Sequence, residues 1–168
     1  MIRPEAAGDE RAVRAVVAAA FGRPAEADLV ERLRARVSPL VSLVAVAEDG
    51  VVGHILFSPV EIGSPGSALR AMALGPMAVA PAHQRAGVGG DLVRAGLEAC
   101  RRMGRRVVFV LGHPDYYPRF GFVPAAPRGL SCRWPVPPEV FMVTELEAGA
   151  LGGARGLVRY EAAFDDAG

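Results

Sequence analysis

Lysine is missing from the chain altogether: its 19 basic side chains are all arginine, set against 18 acidic ones for a formal charge of +1. Without Gly-Lys-Ser/Thr there is no Walker A loop, so nucleoside triphosphate chemistry by that route is excluded. A charge so near zero argues against a dominant nucleic-acid or anionic-membrane footprint. The local cluster of Arg101, Arg102, Arg105 and Arg106 reads as a complement to a helix C-terminus. Cysteine is scarce, and Cys100 and Cys132 have neither metal-site spacing nor further partners, so neither a metal nor a structural disulfide is expected. No uncharged apolar run reaches the roughly eighteen residues of a membrane span, and Met1 to Glu5 opens no signal-peptide core. The expectation is a soluble cytoplasmic protein with no membrane partner.

What is present is ordinary globular material, 51% hydrophobic and 22% charged, long enough to bury a core as one domain over residues 1–168. A short strand at Met1 to Pro4 precedes a helix that Asp9 can cap and that runs to about Phe21. A second helix spans about Pro24 to Val37 and is ended by Ser38-Pro39. Val41 to Ala47 and Val51 to Val60 form a hairpin around Glu48-Asp49-Gly50. A turn-forming loop, Gly63 to Ser67, leads to a strand from Ala68 to Val79. Leu92, Val93, Leu97 and Cys100 mark one face of a helix from Val88 to Met103, capped by Gly104. Val107 to Leu111 is a buried strand, Pro124 to Pro138 a surface excursion, and Phe141 to Glu147 and Leu157 to Phe164 are late strands.

The most informative stretch is Gln84-Arg85-Ala86-Gly87-Val88-Gly89-Gly90, a Gly-rich turn between strand and helix. Backbone N–H groups there converge where the helix dipole is positive, which makes an anion cradle suited to phosphate. A dinucleotide fingerprint would need a third glycine at position 92, which is Leu. A Gly-rich turn with no ligand stays open on these residues alone.

Gln-x-x-Gly-x-Gly after Leu74-Gly75-Pro76-Met77-Ala78-Val79, followed by Tyr116-Tyr117-Pro118-Arg119-Phe120-Gly121-Phe122, resembles the GNAT N-acetyltransferase superfamily over nearly the whole chain. The resemblance implies an α/β (α+β) fold with a central mixed, mostly antiparallel sheet, splayed at the cofactor site and flanked by helices. It implies acetyl-CoA as co-substrate, its pyrophosphate on backbone N–H groups of Arg85, Ala86, Gly87, Val88, Gly89 and Gly90 beside Gln84. Met77, Ala78 and Val79 would pair with the pantetheine amides, and Tyr117 falls on the general-acid position. Proline within a strand indicates either an edge or a bulge, and the resemblance favours a bulge at Gly75-Pro76.

Acetyl transfer to an amine needs a bound donor, an uncharged amine and a proton for the leaving thiolate. Tyr117 can supply that proton, although its place in an aromatic cluster also suits core packing. His54, His113, Glu61 and Glu145 are candidate bases, none singled out by spacing, so no base is assigned. The acceptor would be a primary amine on a small molecule or peptide, and a homodimer is compatible with this reading. A non-catalytic acetyl-CoA sensor would keep the cradle without needing Tyr117. A phosphate-binding domain for another ligand would not respond to CoA at all.

Overall fold

Val41–Ala47 and Gly50–Ile62 pair as the hairpin that Asp49-Gly50 signals, with Val41 opposite Phe57 and Ala47 opposite Gly50. Numbered in chain order, Ile2–Pro4 is β1, the hairpin strands are β2 and β3, Ala71–Val79 is β4, and Val107–Leu111 is β5. Val123–Pro124, Leu130–Ser131, Phe141–Glu145 and Gly156–Arg159 are β6 to β9. The computed structural model describes residues 1–63 and 69–166, and it orders the strands β1-β2-β3-β4-β5-β8-β6, with β9 pairing both β3 and β7. Among the described pairs β4–β5 and β7–β9 run parallel and the others antiparallel, so the sheet is mixed and mostly antiparallel. Beyond Gly63, the Gly63 to Ser67 loop expected from sequence lies outside the described residues, as does Ala68.

Among the described residues three α-helices cover the sheet: α1 (Glu10–Phe21), α2 (Ala25–Arg36) and α3 (Val88–Arg102). Because successive side chains of a strand point to opposite faces, Ile55 and Phe57 of β3 join the core under α3, while Leu56 joins the core under α1 and α2. Leu92, Val93 and Cys100 of α3 are fully buried, Leu92 and Val93 each contributing about 1.5–3 kcal/mol of apolar burial. Close approach of helix to sheet depends on Gly96, where a Cβ would fall 2.2 Å from the Phe57 ring, and on Gly53, where one would meet Leu92 at 3.0 Å. This packing sets the N-terminus of α3 over the end of β4.

The bulge is there. Gly75 and Pro76 together occupy the space opposite Leu56, between the pairs Ile55–Met77 and Phe57–Leu74. Pro76 therefore removes no ladder bond. On its other side β4 pairs with β5 only from Ala71 to Leu74, so Gly75 to Val79 diverge from β5 and expose a free strand edge. That is the splay.

Several local expectations are corrected. Asp9 sits at the N-cap of α1, but its carboxylate turns away to accept from Arg3 (2.7 Å) and the Ala6 N–H (2.7 Å) instead of capping the helix. The late strand ends at Arg159, and Ala162–Asp166 is a 3-10 turn, where burial of Ala163 after Val158 and Tyr160 breaks the period of two. β8 stops at Glu145, whose carboxylate folds back to accept the Leu151 N–H at 2.9 Å. The Pro-rich stretch from Pro124 to Pro138 is more than a surface excursion, since Ala125 and Leu130 are buried within it and Trp134 packs on Tyr160.

Candidate active site

The turn before α3 is wound into left-handed backbone, with φ of 64° at Arg85 and 87° at Gly87, the N-cap. Gly87 suits that conformation because it has no Cβ to collide with the carbonyl. The first helical bond runs from the Asp91 N–H to the Gly87 carbonyl (3.0 Å), which leaves the N–H groups of Val88, Gly89 and Gly90 ahead of any intrahelical acceptor. Gly89 and Gly90, with the positive end of the helix dipole, line a cavity of about 610 Å³. Gln84, Arg85, Gly87, Gly89 and Gly90 line one side of it and Met77, Ala78 and Val79 the other. The side chain of Gln84 has a bracing task, donating from Nε2 to the Val79 carbonyl at 2.9 Å and so tying the turn to the end of β4. Ala86 and Val88 line neither large cavity; Val88 packs toward Gly53 in the core.

Gly89 has little room for a side chain. A Cβ there would come within 3.0 Å of the Tyr116 hydroxyl and 3.6 Å of Met77 Cε, so the glycine keeps the gap between α3 and β4 open. Arg94 and Arg119 join Arg85 in lining the cavity, three arginines against one acid among the described residues, Asp91, which lies 3.6 Å from Arg94. Arg119 also holds the Tyr116 carbonyl at 2.9 Å and stacks over the Tyr116 ring at 4.7 Å. Sequence reasoning missed Arg94 and Arg119. Arg94 was findable one helical turn beyond Gly90; Arg119 depends on the fold of the loop after β5.

A second cavity, of about 760 Å³, meets the first at Phe21, Met77 and Tyr116. Its floor is the free edge of β4 at Gly75 and Pro76 and the end of β5. Tyr117 lines it from a buried position, 8% exposed, with its ring packed against Gly112, where a Cβ would fall 2.2 Å from Tyr117 Cε2. Edge contacts with Tyr116 (5.1 Å between centroids) and Phe122 (5.7 Å) fix the ring further. Burial pushes the Tyr117 phenol up to about 12, with Tyr116 adding to the effect, and burial raises Tyr116 as well. Both phenols therefore carry their protons at neutral pH.

The sequence candidates for a base separate sharply. His54 is fully buried beneath α1 and α2 and lines neither cavity. Its Nε2 contacts Ser42 Oγ at 2.9 Å, Ser42 bonds Glu5, and Glu5 pairs with Arg34. Burial drops His54 to about 4, so it stays neutral as part of the scaffold. Glu145 is engaged by Arg128 and the Leu151 N–H, and Glu61 lies beside Arg159, both outside the two cavities. His113 lines the larger cavity, as does Glu26 of α2, which sequence reasoning did not name. Among the described residues no cluster of three or more His, Cys, Asp or Glu is arranged to hold a metal, and no helix is long and apolar enough to cross a membrane.

A splayed β4–β5 pair, a glycine-opened helix N-terminus at its mouth and a protonated phenol beyond define the class: an acyltransferase fold built around a thioester donor. The model of the acetyltransferase (GNAT) domain matches residues 1–125, and the chain belongs to that family. The uncharacterized N-acetyltransferase YhbS of Escherichia coli K12 is 37% identical over 166 residues, covering 98% of both chains. YjhQ of the same strain, likewise described as an uncharacterized N-acetyltransferase, is 44% identical over 134 residues, 78% of this chain and 74% of its own. The crystal structure of Escherichia coli YhbS in complex with CoA superposes with a TM-score of 0.91 at 36% identity, covering 98% of this chain and 91% of that one. A Brucella melitensis GNAT family acetyltransferase in complex with acetyl-CoA gives 0.79 at 35% identity, covering 98% and 97%. The chain is thus a GNAT N-acetyltransferase.

Proposed function

We propose that residues 1–168 form one domain that binds acetyl-CoA along the free edge of β4 and transfers its acetyl group directly to a primary amine, without a covalent enzyme intermediate. The observation that carries this reading is the junction of the two cavities at Met77 and Tyr116, one ending on the N–H groups of α3 and the other on Tyr117. The gap beside Gly89, which a Cβ would narrow, fits a diphosphate held by backbone. Arg85, Ala86, Gly87, Val88, Gly89 and Gly90 would hold it through their N–H groups, and the backbone edge at Met77, Ala78 and Val79 would pair with the pantetheine amides. When bound, acetyl-CoA supplies the activated acetyl group.

Direct transfer agrees with the cysteines. Cys100 is buried, its thiol is pushed up to about 12, and neither Cys100 nor Cys132 lines a large cavity. Tyr117 holds the proton for the departing sulfur. Moving it from a phenol near 12 to a thiol near 8.5 is uphill by about 5 kcal/mol, so Tyr117 acts chiefly by a hydrogen bond that strengthens as charge develops on sulfur. The amine sheds its proton to water in the larger cavity, which His113 and Glu26 line.

The test has two arms. Acetyl-CoA at about a hundred times Kd should stabilise the protein by about 2.7 kcal/mol, unchanged by chelator. A panel of amines should then show amine-dependent CoA release. No stabilisation at millimolar acetyl-CoA overturns the reading; stabilisation with no CoA release for any amine marks a non-catalytic acetyl-CoA sensor.

A further inference from the structure

The larger cavity has a second wall that the transfer chemistry does not use. Trp134, Tyr160 and Phe164 pack edge to face, with centroids 4.9 Å apart for Trp134–Tyr160 and 5.1 Å for Tyr160–Phe164. All three line the cavity with Phe21 and Val136. One ring face of Trp134 is already taken by the Arg133 guanidinium at 4.5 Å, so the wall offers apolar ring edges and not an open cage of faces for a cation. A single carboxylate lines the cavity among the described residues, Glu26, which accepts from Arg23 Nε at 2.9 Å.

These features discriminate between amines. A polyamine or aminoglycoside carries several ammonium groups and needs a carboxylate for each one taken out of water. This cavity has one, already shared with an arginine. A monoamine with an aromatic body matches this lining, its ring on the Trp134–Tyr160–Phe164 wall and its single nitrogen on the one carboxylate, Glu26. We propose that the acceptor is a small arylalkyl monoamine. This rests on the acetyl-transfer reading of the same site.

Trp134 is the only tryptophan of the chain, so its emission reports occupancy of this wall without any catalysis. The experiment titrates the CoA-bound protein with 2-phenylethylamine and, separately, with spermidine, exciting at the red edge of indole absorption, and then measures CoA release from acetyl-CoA with each amine. The expected result is a saturable emission change with 2-phenylethylamine and none with spermidine. Glu26→Gln should weaken 2-phenylethylamine binding about tenfold while leaving acetyl-CoA affinity unchanged. Spermidine acetylated with no saturable response to 2-phenylethylamine overturns the acceptor class and keeps the transferase reading. Saturable binding of 2-phenylethylamine without CoA release overturns the acceptor class if another amine of the panel is acetylated, and overturns the transferase reading if none is. An emission signal silent to both amines also overturns the proposal.

Discussion

Gly112→Ala moves the proposed acid without altering it chemically. The new methyl would lie 2.2 Å from Tyr117 Cε2 and 2.7 Å from Cδ2, against roughly 3.5–4.0 Å for a relaxed carbon contact, so the ring must shift by more than an ångström. Tyr116 and Phe122 restrict the ring on other sides, which directs the shift along the cavity. A misplacement of about 1 Å costs on the order of a hundredfold in rate, and overpacking costs about 1–3 kcal/mol in stability. Single-turnover acetyl transfer, normalised to the folded fraction from a denaturation curve, should fall about a hundredfold while acetyl-CoA Kd changes little. Tyr117→Phe should fall by a similar factor, and the double variant should be no slower than the slower single one, because both changes remove the same contribution. Strictly additive losses, or a wild-type single-turnover rate in Gly112→Ala, would refute the assignment of Tyr117.

Gly89→Val should weaken acetyl-CoA binding by at least tenfold in the folded fraction, measured by calorimetry, since its branches meet the Tyr116 hydroxyl and Met77 in the gap beside β4. Tyr116→Phe is accordingly no neutral control for Tyr117→Phe, because Tyr116 lines both cavities. The acid form of Tyr117 is lost only as pH rises through about 12, so kcat should rise with pH as the amine deprotonates and show no alkaline fall up to about pH 10. A fall centred near 9 would place the essential acid elsewhere. His54 titrates at about 4 when folded against 6.5 for an ordinary imidazole, so the unfolded chain binds more protons between those values and stability falls as pH drops from 6.5 to 4. That contribution amounts to about 3 kcal/mol at most, and urea curves of His54→Gln should show a correspondingly flatter pH dependence. An unchanged slope would mean that His54 is not the group responsible.

The cradle was legible because its parts are contiguous: turn, N-cap glycine and first helical N–H groups all fall within residues 84–90. The bulge was legible from Pro76 with the family resemblance, while the motif that contains Tyr117 did not by itself show that its ring lines the larger cavity. The walls of that cavity were not legible, since Phe21, Glu26, Trp134 and Tyr160 come from segments more than a hundred residues apart and meet only through sheet order. His54 was misleading for a related reason. Alternation along β3 determines that two faces exist, while only the placement of α1 and α2 determines which one His54 enters. Asp9 had the residue type of a cap, and a competing Arg3 across the β1–α1 turn took its carboxylate.

The segment Gly75 to Val79 is, in effect, a sheet edge held inside the molecule. Strand edges elsewhere invite pairing with whatever extended backbone comes near, and proteins blunt them with proline, bulges and cover. All three protections are present: Pro76 has no donor, the bulge turns the strand, and Phe21 and Tyr116 flank the opening. What remains accessible is a short, one-sided row of backbone amides along β4. On the proposed placement of the co-substrate arm, an extended peptide of a few residues would mimic it, and this edge would serve as a template for inhibitors that bind as a strand.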